Sequence, residues 1–429
     1  MSSLRERLRR VRGEPPAAPA AGGPASPEQP TLAERLRRLG AARGGAAPAA
    51  GESARPHARA ASPADASGAM PDEAALATHL GAEQLAPGVL RLRRRQPLAV
   101  PHGHCALWPD AAAVQLLLPD APADPAGWIA LDTETSGLAG GTGTWVFVVG
   151  LARWRAAHLE ITQFLLTRLD AERAFLERVT AELAGAALLL SYNGKTFDLP
   201  LLAARLRLAR LPDPTDGVGH LDLLHSVRRA FATRWPDCRL AGVEQRLLGR
   251  ARTGDLPGAE APAAWLDWLR RGDGRRLGAV LAHNRMDLAS VAALPAVLAA
   301  AHRAPGAFGA DPLRVARWRL AAGDADGARA LLAGTAADGL DAGARHLLAR
   351  LHARAGDWPS ALALWEQLAD GGDAAAREAL AKHFEHRAKD LRRALAHAER
   401  LPPGVAAVRR RLRLLDKLRN AVQRADERH

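Results

Sequence analysis

The apolar and polar positions of this chain change rhythm several times, and each change marks an element. Gly88-Val89-Leu90-Arg91-Leu92 alternates with a period of two, which predicts a strand. Trp128-Ile129-Ala130-Leu131 is a short continuous apolar run leading into Asp132-Thr133, which predicts a buried strand over 128–133. Residues 144–155 and 158–166 read as two more strands in a meander. A helix over 171–183, a strand over 187–191 and a helix over 199–210 follow, and 277–301 reads as a long helical run. This order predicts an α/β layer structure, a mixed sheet flanked by helices, across residues 128–302. Residues 86–127 read as a β-rich lead-in.

Acidic residues sit where these elements end. Asp132 and Glu134 are i and i+2 on a strand and so project from one face. Two like charges this close repel unless a cation lies between them. Hard oxygen ligands suit Mg²⁺ or Mn²⁺, and phosphate chemistry is the usual employment of such a site. The alternative is a strand end that simply shows two acids to solvent. Two further segments favour the site. In Leu188 to Asp198, an apolar strand runs through an Asn193-Gly194 turn to an acid at a helix start; the bland reading of Asp198 is a helix N-cap. In His283-Asn284-Arg285-Met286-Asp287, His283 and Asp287 share one helix face; the bland reading is a surface pair.

With these three segments in place, the chain resembles the DEDD 3′–5′ exonucleases of the ribonuclease H-like superfamily. Their Asp-x-Glu strand is matched by Asp132 and Glu134, their Asn-x-x-x-Phe-Asp by Asn193, Phe197 and Asp198, and their final helix by His283 and Asp287. LDTETSGLAGGTGTWVFVVG, SYNGKTFDLPLL and HNRMDLASV are similar to the YprB-like bacterial branch, which joins such a domain to C-terminal helical repeats. The resemblance spans roughly residues 95–400. It departs at one point: His-type members place His five residues before the last Asp, whereas 287 − 283 is four here, the spacing of the Tyr-type enzymes. The resemblance implies a two-metal site with ions about 3.5–4 Å apart. In it Asp132 bridges both ions, Glu134 and Asp287 complete the site of the attacking water, Asp198 holds the second ion, and His283 orients or deprotonates the water. Thr135, Ser136, Gly137, Asn193 and Lys195 are the expected substrate contacts. Lys195 suits a phosphate. Asp222, in His220-Leu221-Asp222-Leu223-Leu224-His225, is expected to support the site rather than to hold metal.

Charge adds to this picture. The chain of 429 residues carries a formal charge of +13 and a pI near 11.0, which suggests a polyanionic partner. Nucleic acid is expected, DNA more than RNA, though no motif decides between them. Cys105 and Cys238 give neither a disulfide framework nor a zinc spacing, which fits a reducing cytoplasm. No signal peptide or membrane-spanning run is read, so a cytoplasmic, bacterial-type, nucleoid-associated location and no membrane partner are expected. His102-Gly103-His104 lacks a third ligand and reads as a structural or substrate-side loop. Residues 137–144 are rich in Gly but lack the Gly-Lys-Ser/Thr ending of a phosphate loop; they read as the opening of a hairpin.

Residues 1–85 are dominated by Ala, Pro, Gly, Ser and Arg and read as a disordered tail. Within it Ser3-Leu4-Arg5-Glu6-Arg7-Leu8-Arg9-Arg10 recurs as Thr31-Leu32-Ala33-Glu34-Arg35-Leu36-Arg37-Arg38, each with a capping-box pattern. At the other end, Gly323-Asp324, Gly356-Asp357 and Lys389-Asp390 recur every 33 residues (357 − 324 and 390 − 357), with Ala328, Ala361 and Ala394 at the same offset. This predicts TPR-like helix pairs over 311–425, with a basic helix over 408–424 as the cap. The function expected is a metal-dependent 3′–5′ exonuclease in DNA repair or processing. The alternative is a catalytically weak nucleic-acid-binding scaffold that recruits a helicase or repair partner through the repeats or the N-terminal motifs.

Overall fold

The computed structural model describes residues 72–137 and 143–426. The two N-terminal motifs and positions 138–142 of the Gly-rich segment lie outside the described residues. The first elements are helix α1 (Glu73–Leu80), strands β1 (Glu83–Ala86) and β2 (Val89–Pro97), and helix α2 (Ala111–Leu117). The expected tail limit at 85 therefore falls inside regular structure. The reason is local: Asp72 caps α1, accepting from the N–H of Ala75, and Leu76, Ala77 and Leu80 give it an apolar face to bury. The lead-in is also less β-rich than expected, because α2 occupies part of it.

Strands β3 (Trp128–Thr135), β4 (Val146–Trp154) and β5 (His158–Leu166) follow as the expected meander. Then come α3 (Glu172–Leu183), β6 (Leu188–Ser191), α4 (Asp198–Leu208), β7 (Gly219–Asp222) and α5 (Leu223–Phe231). A short helix α6 (Leu240–Val243) runs on into a π turn (Glu244–Leu248), and α7 (Ala261–Arg271) and α8 (Leu277–Arg303) complete the layer. The seven strands form one sheet in the order β1-β2-β5-β4-β3-β6-β7. β3 pairs parallel with β6, and β6 with β7; the other pairs are antiparallel.

β3 is central and covered on both faces, which is why its sequence is a run rather than an alternation. Trp128 and Ala130 join one core with Leu188, Leu190 and Leu288 of α8. Ile129 and Leu131 join the other core with Leu189, Phe164 and Phe175 of α3. The even-numbered row of β3 thus faces α8, and Asp132 and Glu134 continue that row. The strand period aims both carboxylates at the helix that carries His283 and Asp287.

Beyond α8 the chain is helical: α9 (Pro312–Ala321) with α10 (Ala325–Ala333), α11 (Ala342–Arg354) with α12 (Trp358–Asp370), and α13 (Ala374–His386) with α14 (Leu391–Glu399). The 33-residue markers have a physical meaning. Asp324, Asp357 and Asp390 each cap the second helix of a pair, accepting from the N–H of Gly327, Ser360 and Arg393. The residue before each cap is left-handed, at φ +85° for Gly323 and Gly356 and +58° for Lys389. Ala328, Ala361 and Ala394 are fully buried, small residues where larger side chains would separate the packed helices.

The last helix, α15 (Val405–Asp426), is fastened by ion pairs. The side chain of Glu385 on α13 accepts from Arg413 Nε and Nη2, both at 2.9 Å, from Lys417 Nζ at 2.8 Å, and from Arg410 at 3.4 Å. Arg413 above all, with Lys417, holds the Glu385 carboxyl down to about 2, from an ordinary 4.5. A depressed acid stabilises the fold above its unfolded pKa, and that contribution is lost as pH falls from about 4.5 through about 2. Glu385→Gln is therefore expected to lower stability at neutral pH and to flatten the acid limb of the stability curve. Circular dichroism along an acid titration checks this; an unchanged acid limb would contradict it.

Candidate active site

Three elements bring the predicted residues together. β3 supplies Asp132 and Glu134, α4 opens with Asp198, and α8 carries His283 and Asp287. Asp198 is held by β3 itself: its Oδ1 accepts from the Thr133 N–H at 3.1 Å and the Thr133 hydroxyl at 2.5 Å. It begins its helix without capping it, so the N-cap reading does not describe it. The Asp132 carboxylate accepts from Asn284 Nδ2 at 2.7 Å. Burial raises the pKa of Asp132 well above the ordinary carboxylate value, and the charges of Asp287, Asp198 and Glu134 push it the same way. Burial, then Asp287 and Asp198, lift Glu134 to about 8. Burial brings Asp198 to about 6 against the opposing bond from Thr133. Burial also raises Asp287, opposed by Arg252 and His283. The four acids thus share one poorly solvated region, in which the charges of Asp287 and Asp198 oppose the ionisation of both Asp132 and Glu134.

Several participants escaped the sequence reading. Asn284 is fully buried and takes its place from Gln163, whose Nε2 donates to Asn284 Oδ1 at 2.7 Å and to the Leu281 carbonyl at 2.8 Å. Its position between His283 and Arg285 was legible; its partner 121 residues away was not. Arg252 lies in the loop between the π turn and α7. It bonds Glu244 at 2.5 and 2.7 Å, Asp255 at 3.0 Å and Asp287 at 2.6 Å. Asp255 also meets His283 Nδ1 at 2.8 Å, which leaves Nε2 on the side of Asp287, 3.8 Å from its Oδ2. His283 and Asp287 are therefore part of a buried network rather than a surface pair.

The strand β4 opposite Asp132 must be bare for this packing. Gly150 pairs with Asp132, and a Cβ placed there would lie 2.1 Å from Asn284 Oδ1 and 2.8 Å from Leu288 Cδ1. Gly150→Ala should push α8 off the sheet, destabilising by about 1–3 kcal/mol as overpacking does. It should also lower any activity of the site. A urea midpoint and turnover equal to wild type would contradict this.

The expected substrate contacts fall into two groups. Asn193, in a left-handed conformation at φ +70°, and Lys195 stand in the turn before α4. Asp222 organises that turn, accepting from the N–H groups of Asn193 at 2.8 Å and Lys195 at 3.0 Å while it caps α5. The supporting role read for Asp222 matches this geometry. Lys195 is exposed, with its side chain free to reach a ligand. Thr135 and Ser136, by contrast, close the hairpin: the Thr135 hydroxyl donates to the Gly137 carbonyl at 3.0 Å, and the Ser136 hydroxyl accepts from the Trp145 N–H at 2.9 Å. His102 is buried against Ser290, at 2.7 Å, which agrees with a structural role.

Among the described residues, no three His, Cys, Asp or Glu side chains converge closely enough to grip one ion. The reason is visible in the partners: Asp198 turns to Thr133, Asp132 to Asn284 and Asp287 to Arg252. The donor chemistry nevertheless suits a hard divalent cation, since all four groups offer carboxylate oxygens and all four are raised toward the neutral state even with Arg252 beside Asp287.

Comparison with known proteins agrees with the geometry. A model of the RNase_H superfamily matches residues 129–299, the span from β3 to α8. This span is similar to a ribonuclease H-superfamily domain. The uncharacterized protein YprB of Bacillus subtilis (strain 168) is 36% identical over 168 residues, 38% of this chain and 40% of that protein, so the match spans less than half of either. Domains of this superfamily usually hydrolyse nucleic-acid phosphodiester bonds, typically with divalent metals. None of the described helices is long and apolar enough to cross a membrane.

Proposed function

We propose that this chain is a metal-dependent 3′–5′ exonuclease of nucleic acid, with DNA favoured, that works in DNA repair or processing. The observation that carries the reading is the meeting of Asp132, Glu134, Asp198 and Asp287 in one buried region beside His283. These four acids would hold two Mg²⁺ or Mn²⁺ ions. Bound there, such ions supply Lewis-acid polarisation of the phosphate and a more acidic water. The protein's own groups do the rest. Asp255 holds His283 at Nδ1 and so directs Nε2 to the acids, where it accepts the proton of the attacking water. Lys195 and the backbone of the Asn193 turn position the strand through its phosphates. Arg252 bonds Asp287 and would have to release it for that carboxylate to hold an ion, while its bonds to Glu244 keep it anchored. The three helix pairs form a TPR-like array that docks a protein partner such as a helicase.

Purified protein is given 5′-labelled single-stranded DNA, duplex DNA or RNA with Mn²⁺, Mg²⁺ or EDTA. The expected result is a ladder that shortens from the 3′ end, depends on metal, and is strongest on DNA. Internal cuts alone, or cleavage that survives EDTA, would overturn the reading. Binding without cleavage of any substrate would favour the scaffold alternative.

A further inference from the structure

Arg252 meets three acids, but among the described residues two other arginines near α8 meet none. Arg250 and Arg285 line a cleft of about 280 Å³, together with Gln96, His102, Met286 and Ala289. The Nε of Arg250 is sealed from solvent and has no hydrogen-bond partner among the described residues. Arg285 is half-buried and makes no ion pair or side-chain hydrogen bond among the described residues. Arg94 lies near enough to act on it with a further positive charge. Partly desolvated guanidinium groups without a counterion are costly to keep, and an anion with matching oxygens removes that cost. Arginine forks fit phosphate oxygens in pairs. The cleft is at the small end for a ligand site, which suits one phosphate group rather than a run of nucleotides.

The cleft is also wired to the acids. His102 Nε2 lies 2.7 Å from Ser290 Oγ, and that hydroxyl donates to Glu244. Glu244 holds Arg252, and Arg252 holds Asp287. One buried chain of hydrogen bonds therefore runs from the cleft wall to the candidate catalytic centre.

We propose that the Arg250–Arg285 cleft is a phosphate site, filled by a backbone phosphate of the nucleic-acid strand away from the bond that is cut. The choice of a backbone phosphate rests on the nuclease reading; the cleft's preference for phosphate does not. The full chain in EDTA is titrated with a fluorescein-labelled single-stranded oligonucleotide over a series of salt concentrations. In parallel, its thermal midpoint is followed with inorganic phosphate at constant ionic strength. Arg250→Gln and Arg285→Gln should each weaken oligonucleotide binding by about tenfold, as loss of a charged hydrogen bond does. Each should also reduce the slope of log affinity against log salt by about 0.7, one phosphate contact on a single strand. Arg285→Lys should be intermediate. Since Arg285 has no ion pair or side-chain hydrogen bond among the described residues, Arg285→Gln should keep the wild-type unfolding midpoint. Affinity and slope equal to wild type would overturn the backbone assignment. If, besides, inorganic phosphate stabilises wild type but neither Gln variant, the occupant is free phosphate. If phosphate also fails to distinguish wild type from the variants, the site itself is refuted. A wild-type chain that binds no oligonucleotide at all counts against the nuclease reading, and the phosphate measurement then still tests the cleft.

Discussion

Asp132→Asn is expected to reduce phosphodiester hydrolysis by at least about 10³-fold, the scale on which removal of a central electrostatic group acts. The fold should survive. Asp132 sits where burial and three like-charged neighbours already oppose its ionisation, so a neutral isostere relieves repulsion rather than breaking a pair. Its carboxylate accepts a bond from Asn284 Nδ2, and the side-chain oxygen of Asn accepts the same bond. The urea midpoint of the variant should therefore equal or exceed that of wild type in EDTA. Loss of activity together with loss of stability would assign Asp132 a structural role instead. Wild-type turnover would remove it from the chemistry altogether.

Arg252→Ala is expected to behave in the opposite way, with a large loss of stability. Glu244 is fully buried, and apart from the Ser290 hydroxyl its charge is balanced by the Arg252 fork. Taking one partner from a buried pair leaves an uncompensated charge, which costs about 3–5 kcal/mol. Adding Glu244→Gln to Arg252→Ala should recover part of that loss, because the stranded charge goes with it; a double-mutant cycle in urea measures the recovery. Arg252→Lys should fall between, since an ammonium keeps the charge but cannot bond Glu244, Asp255 and Asp287 together. A loss below about 1 kcal/mol, the scale of a surface ion pair, would show that the network does not hold the loop.

What the sequence revealed and what it hid divide along a physical line. β3, β5, α3 and α8 were legible because their apolar spacing is set by burial on one or two faces, a property of neighbouring residues. Asp132 and Glu134 were legible for the same reason, as the strand period alone puts them on one face. The 33-residue markers were legible because each repeat needs a cap, a left-handed residue and a small contact residue at fixed offsets. Helix α1 was hidden by a composition that runs on from the tail, although Asp72 and Leu76 to Leu80 carry the local signals. Arg252, Asp255, Glu244 and Gln163 were not legible at all. Each matters through a partner distant in the chain, such as Gln163 to Asn284 across 121 residues or Arg252 to Asp287 across 35. A single sequence carries no record of which distant charges will meet.

The proposed function requires the four carboxylates to make one cation site. Isothermal titration of Mn²⁺ into the metal-free full chain, beside the Asp132→Asn variant, tests it without reference to any substrate. The expected result is saturable binding of two ions per chain in wild type and loss of at least one of them in the variant. No binding to wild type, or the same stoichiometry and affinity in both proteins, would contradict it.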